Sequence, residues 1–276
     1  MVLHFTKMHG LGNDFVVIDG VTKNVTLSTA IIKRLSDRHL GIGCDQVLLV
    51  EPPKQSNVDF EYRIFNSDGS EVEQCGNGAR CLARFIRDRQ LSGKSSLRVT
   101  TQNRTLTLNI IDESNVTVDM GIPSLEPSDL PFETAHRDRR YTVDLHGEPV
   151  SFSAVSMGNP HVILFVNEVQ SAPVNTLGPQ LENHSQFPNK VNVGFAEILN
   201  RHTLVLRVHE RGAGETRACG SGACAAVVAA IDQGLAESPV QVQLTGGNLI
   251  IQWPGEGHPL IMEGCATTSF HGRIKL

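Results

Sequence analysis

Cys75 and Cys219 sit in near-copies of one short motif, 144 positions apart. The first runs Glu71-Val72-Glu73-Gln74-Cys75-Gly76-Asn77-Gly78-Ala79-Arg80-Cys81. The second runs Glu215-Thr216-Arg217-Ala218-Cys219-Gly220-Ser221-Gly222-Ala223-Cys224. Each has a Glu four residues before the cysteine, then Gly-x-Gly-Ala, then an apolar stretch of helical character. Two equivalent thiols on equivalent supports could face one substrate from opposite sides. That arrangement moves a proton from one face of a carbon to the other. Gly-x-Gly after the cysteine suits a tight turn opening a helix, where the first N–H groups lack internal partners. The partial positive charge of such a helix end is expected to lower a thiol pKa and to attract a carboxylate. The glycines would let a ligand approach the backbone closely. A single Cys-Gly-x-Gly is more simply a buried structural cysteine; its duplication favours chemistry.

The elements that must carry these motifs also recur. Asn13 and Asn159 are 146 positions apart, as are Gln46 and Asn192. Asn66 and Glu210 are 144 apart, the offset of the two cysteines. Met120-Gly121-Ile122-Pro123 echoes Met262-Glu263-Gly264-Cys265. Landmarks in one order at nearly constant offset point to two copies of one α/β unit, a duplication far longer than a solenoid repeat. Strand composition marks 14–18, 47–50, 62–65, 97–100, 105–110 and 116–119, and in the second half 161–166, 203–209, 240–244 and 249–253. Helices are expected over 28–40, 78–90 and 222–234. The last is apolar nearly all round, so it must be surrounded. The expected class is α/β (α+β): two pseudo-symmetric lobes, each a mostly antiparallel sheet wrapped around a central helix, with the active site in the cleft between. The first lobe covers 1–118, with 263–276 returning to it, and the second covers 119–262.

Composition excludes several classes. The 276 residues carry 40% hydrophobic residues and a formal charge of -5 with interspersed signs, so neither nucleic acid nor membrane is an expected partner. The start lacks a signal peptide's apolar run, and the run 223–231 is too short to span a bilayer. A cytoplasmic protein is expected. The six cysteines include no C-x-x-C pair, which argues against zinc and thioredoxin motifs. Cys81 and Cys224 fall on apolar helix faces as core residues. Cys75 and Cys219 could form a disulfide, but a reducing compartment favours the dithiol.

The chain resembles the diaminopimelate epimerase family. The resemblance rests on Met8-His9-Gly10-Leu11-Gly12-Asn13-Asp14-Phe15, on Arg38-His39-Leu40-Gly41-Ile42-Gly43-Cys44-Asp45-Gln46, and on Asn66-Ser67-Asp68-Gly69-Ser70 through Cys81. Gly158-Asn159-Pro160-His161 and Glu210-Arg211-Gly212-Ala213-Gly214-Glu215-Thr216 through Gly222 complete it. It implies interconversion of LL- and meso-diaminopimelate without a cofactor, on the path to lysine and peptidoglycan, with Cys75 and Cys219 as the acid/base pair. The amides of Gly76 and Asn77, and of Gly220 and Ser221, would hold the α-carboxylate. Arg211, Glu210, Asn13, Gln46, Asn66, Asn159 and Asn192 would fix the rest of a long zwitterion. His161 and Glu210 would tune the thiols. Four positions depart from the family pattern: Ser67 for Ala, Glu263 and Cys265 in the Thr-Gly-Pro tail, and Phe270 for a Tyr linked to dimer packing. A homodimer is implied, and no metal.

Taken singly, an Asn in a loop more often serves a turn, and a lone His more often a structural role. Asp14, Asp45 and Asp68 read as turn or capping residues, and Glu71 and Glu215 as residues near a helix entrance. The competing readings are a two-thiol racemase for a smaller amino acid, an isomerase of the same fold without paired thiols, and a redox-sensing binding module. Arg211 with several Asn favours the long substrate over the first, and Cys75 with Cys219 argue against the second.

Overall fold

Phe15, Val16, Val17 and Ile18 form an apolar run in which every side chain is buried. A strand of that kind must be covered on both faces, as parallel strands are. The computed structural model, which describes residues 2–72, 75–102, 104–145 and 147–276, pairs this strand in parallel with the equally apolar Val47–Val50 run. Glu73 and Gln74 of the first motif lie outside the described residues.

The chain divides into two compact units, Met1–Asp119 with Glu263–Leu276, and Met120–Met262. The first contains β1 (Val2–Gly10), β2 (Asn13–Asp19), α1 (Thr29–Ser36), β3 (Gln46–Glu51), β4 (Phe60–Asn66), β5 (Glu71–Val72), α2 (Gly76–Asp88), β6 (Ser96–Thr100), β7 (Thr105–Ile110) and β8 (Asn115–Asp119). The second contains β9 (Tyr141–Leu145), β10 (Glu148–Ser156), β11 (Pro160–Phe165), α3 (Val174–Glu182), β12 (Asn192–Asn200), β13 (Thr203–Glu210), β14 (Gly214–Thr216), α4 (Gly220–Asp232), β15 (Val240–Leu244) and β16 (Gly247–Gln252). β17 (Ile261–Cys265) carries the chain over the boundary, and β18 (Thr267–Lys275) belongs to the first unit.

Within the first unit the strands pair in the order β18-β1-β2-β3-β4-β6-β7-β8, with β5 also on β4. Of these described pairs, β2/β3 and β4/β6 are parallel. Within the second the order is β9-β10-β11-β12-β13-β15-β16, with β14 on β13, and only β11/β12 and β13/β15 are parallel. Each sheet is therefore mostly antiparallel, with parallel pairs at matching places. Register carries the duplication further. Phe15, two residues after Asn13, pairs with Gln46, and His161, two residues after Asn159, pairs with Asn192. Phe65 pairs with Glu71, and His209 with Glu215.

Each sheet curls about one helix. α2 packs on β1, β2, β3, β7, β8 and β18, and α4 on β10, β11, β12, β13, β15 and β16. Every residue of α4 from Gly222 to Ala230 is buried, as an all-apolar helix requires. The expected helix 28–40 is shorter: Ser28 caps it, but it stops at Ser36. The amides of Ile42 and Gly43 return to the Leu35 carbonyl and that of Cys44 to Ser36, so a loop takes the place of further turns. α3 went unpredicted, because Pro173, Gly178 and Pro179 read as a breaker segment. Among the described residues no helix is long and apolar enough to cross a membrane.

Candidate active site

Cys75 and Cys219 do not precede their helices by a turn; each is the helix N-cap. Both have extended backbones (φ -148°, ψ 111° and φ -111°, ψ 106°), and their carbonyls accept the first intrahelical bonds from Ala79 and Ala223 at 2.8 and 2.9 Å. The helices begin at Gly76 and Gly220, two residues before the expected starts. At Cys75 the sulfur replaces the oxygen of the usual Ser or Asp cap, whereas Cys219 holds the N-cap position without a side-chain cap bond. Cys75 Sγ accepts from the Gly78 amide at 3.4 Å. Gly76 and Asn77, like Gly220 and Ser221, occupy first-turn positions where the helix supplies no acceptor for their amides.

The second glycine of each motif has a different use from the one expected. A Cβ on Gly78 would overlap the buried Tyr62 Oη, and one on Gly222 would lie 3.2 Å from Cys219 Sγ. These glycines make room for a core phenol and for the thiol itself.

In the first unit Asn13, Cys75 and Asn77 form one cluster. Asn13 Oδ1 accepts from Cys75 Sγ at 3.7 Å and from Asn77 Nδ2 at 3.3 Å. Gln46 and Asn66 are cross-strand neighbours joined at 3.0 Å (Nε2 to Oδ1). Asp14 lies in a strand rather than a turn. It is held by Lys7 at 2.6 Å and Arg38 at 2.8 Å, and these cations keep its carboxyl well below the usual range despite burial. Asp68 does serve a turn, accepting from the Ser70 amide.

In the second unit Asn159, His161, Cys219 and Ser221 are linked. His161 Nε2 lies 3.1 Å from Asn159 Oδ1, Asn159 Nδ2 donates to Ser221 Oγ at 3.5 Å, and Ser221 Oγ lies 3.7 Å from Cys219 Sγ. Asn192 is buried and supports the backbone: it donates to the Pro160 carbonyl and accepts from the Arg211 amide at 3.0 Å. The Arg211 side chain is exposed and donates to the Asn189 carbonyl. Glu210 accepts from Thr216 Oγ1. Phe270 stands apart on β18, half exposed, with its ring edge-on to Phe5.

The thiol of Cys219 departs from the expected direction. Burial raises its pKa well above the ordinary value, and the Glu210 charge and hydrogen bond add to this. The Gly222 amide and Ser221 hydroxyl pull downward but are outweighed. Loss of water costs a thiolate more than one helix end returns. Burial, helped by the Arg211 charge, also lowers His161 to about 3, so its ring is neutral near pH 7. An unfolded chain takes up this proton near pH 6.5. Between about 3 and 6.5 the unfolded state thus binds more protons, and stability is lost as pH falls through that window. His161→Gln should shrink the stability difference between pH 7 and pH 4.5 by about 1–3 kcal/mol, read from urea unfolding. An unchanged difference would contradict the neutral buried ring.

Glu71 and Glu215 lie near the helix entrances, on the short strands that precede them, and each is held by an arginine. Arg63 Nε and Nη2 hold Glu71 at 2.9 and 2.8 Å, and Arg207 Nε and Nη2 hold Glu215 at 2.7 and 3.0 Å. Such two-point pairs fix geometry as well as charge. They pin β5 and β14, the short strands just before the two cysteines. Sequence reasoning missed both arginines, although they lie 144 apart like the cysteines, and that offset would have found them.

The family model described as diaminopimelate epimerase matches residues 5–126 and 153–269. A diaminopimelate epimerase of Ectopseudomonas mendocina is 54% identical over 276 residues, covering 100% of both chains, and one of Pseudomonas aeruginosa is 53% identical with the same coverage. Among solved structures, a hydroxyproline epimerase from Agrobacterium vitis superposes with a TM-score of 0.71 at 14% identity, over 99% of this chain and 92% of that one. A methylitaconate-delta-isomerase superposes with a TM-score of 0.64 at 12% identity, over 99% and 95%. At such identities these two establish the duplicated fold alone, whereas the full-length relatives and the family model establish kinship: this chain belongs to the diaminopimelate epimerase family.

Proposed function

We propose that the protein interconverts LL- and meso-2,6-diaminopimelate, in lysine and peptidoglycan biosynthesis, by passing an α-proton between Cys75 and Cys219 without a cofactor. The observation that carries this reading is the pair of cysteine-capped helices, one per unit, in a chain 54% identical end to end to a diaminopimelate epimerase. In this reading each unit contributes one sulfur to the same stereocentre. One takes the proton and the other returns one to the opposite face, so the substrate need not turn over. An amino-acid α-carbon is a weak acid, and the carbanion-like transition state must be stabilised by dipoles already in place. The amides of Gly76, Asn77, Gly220 and Ser221 do this by holding the α-carboxylate at two helix ends. The far amino-acid head is gripped by Arg211 and Glu210, with Asn13, Gln46, Asn66, Asn159 and Asn192 fixing the pose. Neutral His161 orients Asn159, and burial, with Glu210 adding to it, holds Cys219 as a thiol.

The test is LL-diaminopimelate incubated with the protein in heavy water. α-Deuterium and meso product support the reading, and neither appearing with reduced enzyme sinks it. Turnover of proline or hydroxyproline instead would favour the smaller-substrate alternative. A reversible Cys75–Cys219 bond with no exchange of substrate hydrogen would favour the redox sensor.

The reading also places the protein in the reducing cytoplasm, which keeps paired thiols available, and makes it a homodimer. Phe270 supports the dimer: it is 50% exposed beside Phe5, a large apolar ring that a second copy would cover. Phe270→Asp should therefore halve the particle mass in sedimentation, and an unchanged mass would remove Phe270 from the interface.

A further inference from the structure

One side chain of the first unit has its direction dictated from both ends. Asn13 Nδ2 donates to Asp45 Oδ2 at 2.9 Å. Asp45 is a carboxylate and only accepts, so the amide nitrogen must face it. At the other end Arg80, fully buried on α2, donates through Nη2 to Asn77 Oδ1 at 2.9 Å and through Nε to the Cys265 carbonyl at 3.2 Å. Arg only donates, so the Asn77 oxygen must face it, and Asn77 Nδ2 then turns to Asn13 Oδ1. A donor-only cation and an acceptor-only anion bracket two amides, and the three hydrogen bonds described between them run one way. The consequence lies at the thiol: Asn13 presents its carbonyl oxygen, not its NH2, to Cys75 Sγ at 3.7 Å.

We propose that Asp45 and Arg80 are positioning residues that act through Asn13 to keep an acceptor facing Cys75. The proposal rests on Cys75 being a working thiol, as in the proposed function. A carbonyl oxygen stabilises S–H and opposes S⁻, whereas the Gly78 amide on the same sulfur does the reverse. Opposed partners suit a group that must both take and give a proton in one cycle. The carboxylate is itself locked in place. The Asp14 amide donates to Asp45 Oδ2, the Asp45 amide to Asp14 Oδ1, and Arg38 Nη2 to Asp45 Oδ1. Gly10 leaves room for the cation, since a Cβ there would lie 3.2 Å from Arg80 Nη2. The device belongs to one copy only. At the corresponding places the second unit has Val191, Ser221 and Cys224, and its Asn159 turns to His161 and Ser221 instead. It is therefore not a by-product of the duplicated fold.

The test is the pH dependence of Cys75 alkylation by iodoacetamide in the Cys219→Ser protein, which needs no turnover. Its outcome is separate from the heavy-water assay of function. Asp45→Asn can accept as well as donate, which frees Asn13 to reverse. The pH midpoint for Cys75 should fall by about one unit, and alkylation below the midpoint should become about tenfold faster. Loss of a negative charge alone would also lower the midpoint, so the deciding arm removes the amide. In an Asn13→Ala background Asp45→Asn should cause a clearly smaller shift, the part owed to charge alone. A midpoint that Asp45→Asn leaves in place overturns the proposal, as does an equal fall with and without Asn13.

Discussion

Cys75→Ser and Cys219→Ser are each expected to lose epimerisation by about 10²–10⁴-fold, the range over which a positioned acid or base acts. A two-base inversion uses both sulfurs in every turnover, so either loss stops it. A serine hydroxyl is too weak an acid to stand in as base or donor near neutral pH. The fold should survive, because both cysteines occupy helix N-cap positions and serine is a preferred N-cap. The measurements are the initial rate of meso product from LL-diaminopimelate, the reverse rate, and unfolding in urea. A variant that keeps full activity removes its cysteine from the mechanism. One that loses activity together with its unfolding transition says nothing for chemistry, and then Cys→Ala decides by the same pair of measurements. Serine at one site leaves the other sulfur able to exchange its own proton. Slow α-deuterium incorporation without inversion is therefore the expected residue of activity.

Arg207→Ala should cost stability on the order of 2–4 kcal/mol, while Arg63→Ala should cost about 1 kcal/mol or less. The two arginines hold equivalent glutamates with equivalent two-point geometry. Their surroundings separate them. Arg207 Nη1 also donates to the Val169 and Gln170 carbonyls at 3.0 Å, and Glu215 accepts from Asn175 on α3. Arg207 is thus the common tie between β13, β14 and the segment entering α3, and its removal strands several acceptors that water reaches poorly. Arg63 is more open, and besides Glu71 it has only the ring of Phe65 beneath it, 4.9 Å away, among the interactions described. Urea midpoints at constant m-value read the difference. Equal costs would mean that the carbonyl contacts contribute nothing.

Much of the architecture was legible before any coordinates. The strands at 105–110 and 240–244 fall where alternation put them, because the side-chain period of a strand is written in the sequence. The central position of α4 followed from its having no polar face. The helix starts were misplaced because Gly76 and Gly220 read as turn residues. Only the extended backbone at the cysteines reveals a sulfur in the cap position.

The sequence by itself determined the duplication, the two thiols and the family, since these depend on residue types at fixed offsets along the chain. Tertiary structure alone decided what sits beside each thiol. Asp45 and Arg80 are 35 residues apart and have no like residue in the second copy, where Val191 and Cys224 stand, yet packing of β3 and α2 sets them at the two ends of one amide chain. The direction of Cys219's pKa was likewise hidden. It depends on how much water the folded chain removes from the sulfur, a sum over neighbours distant in sequence.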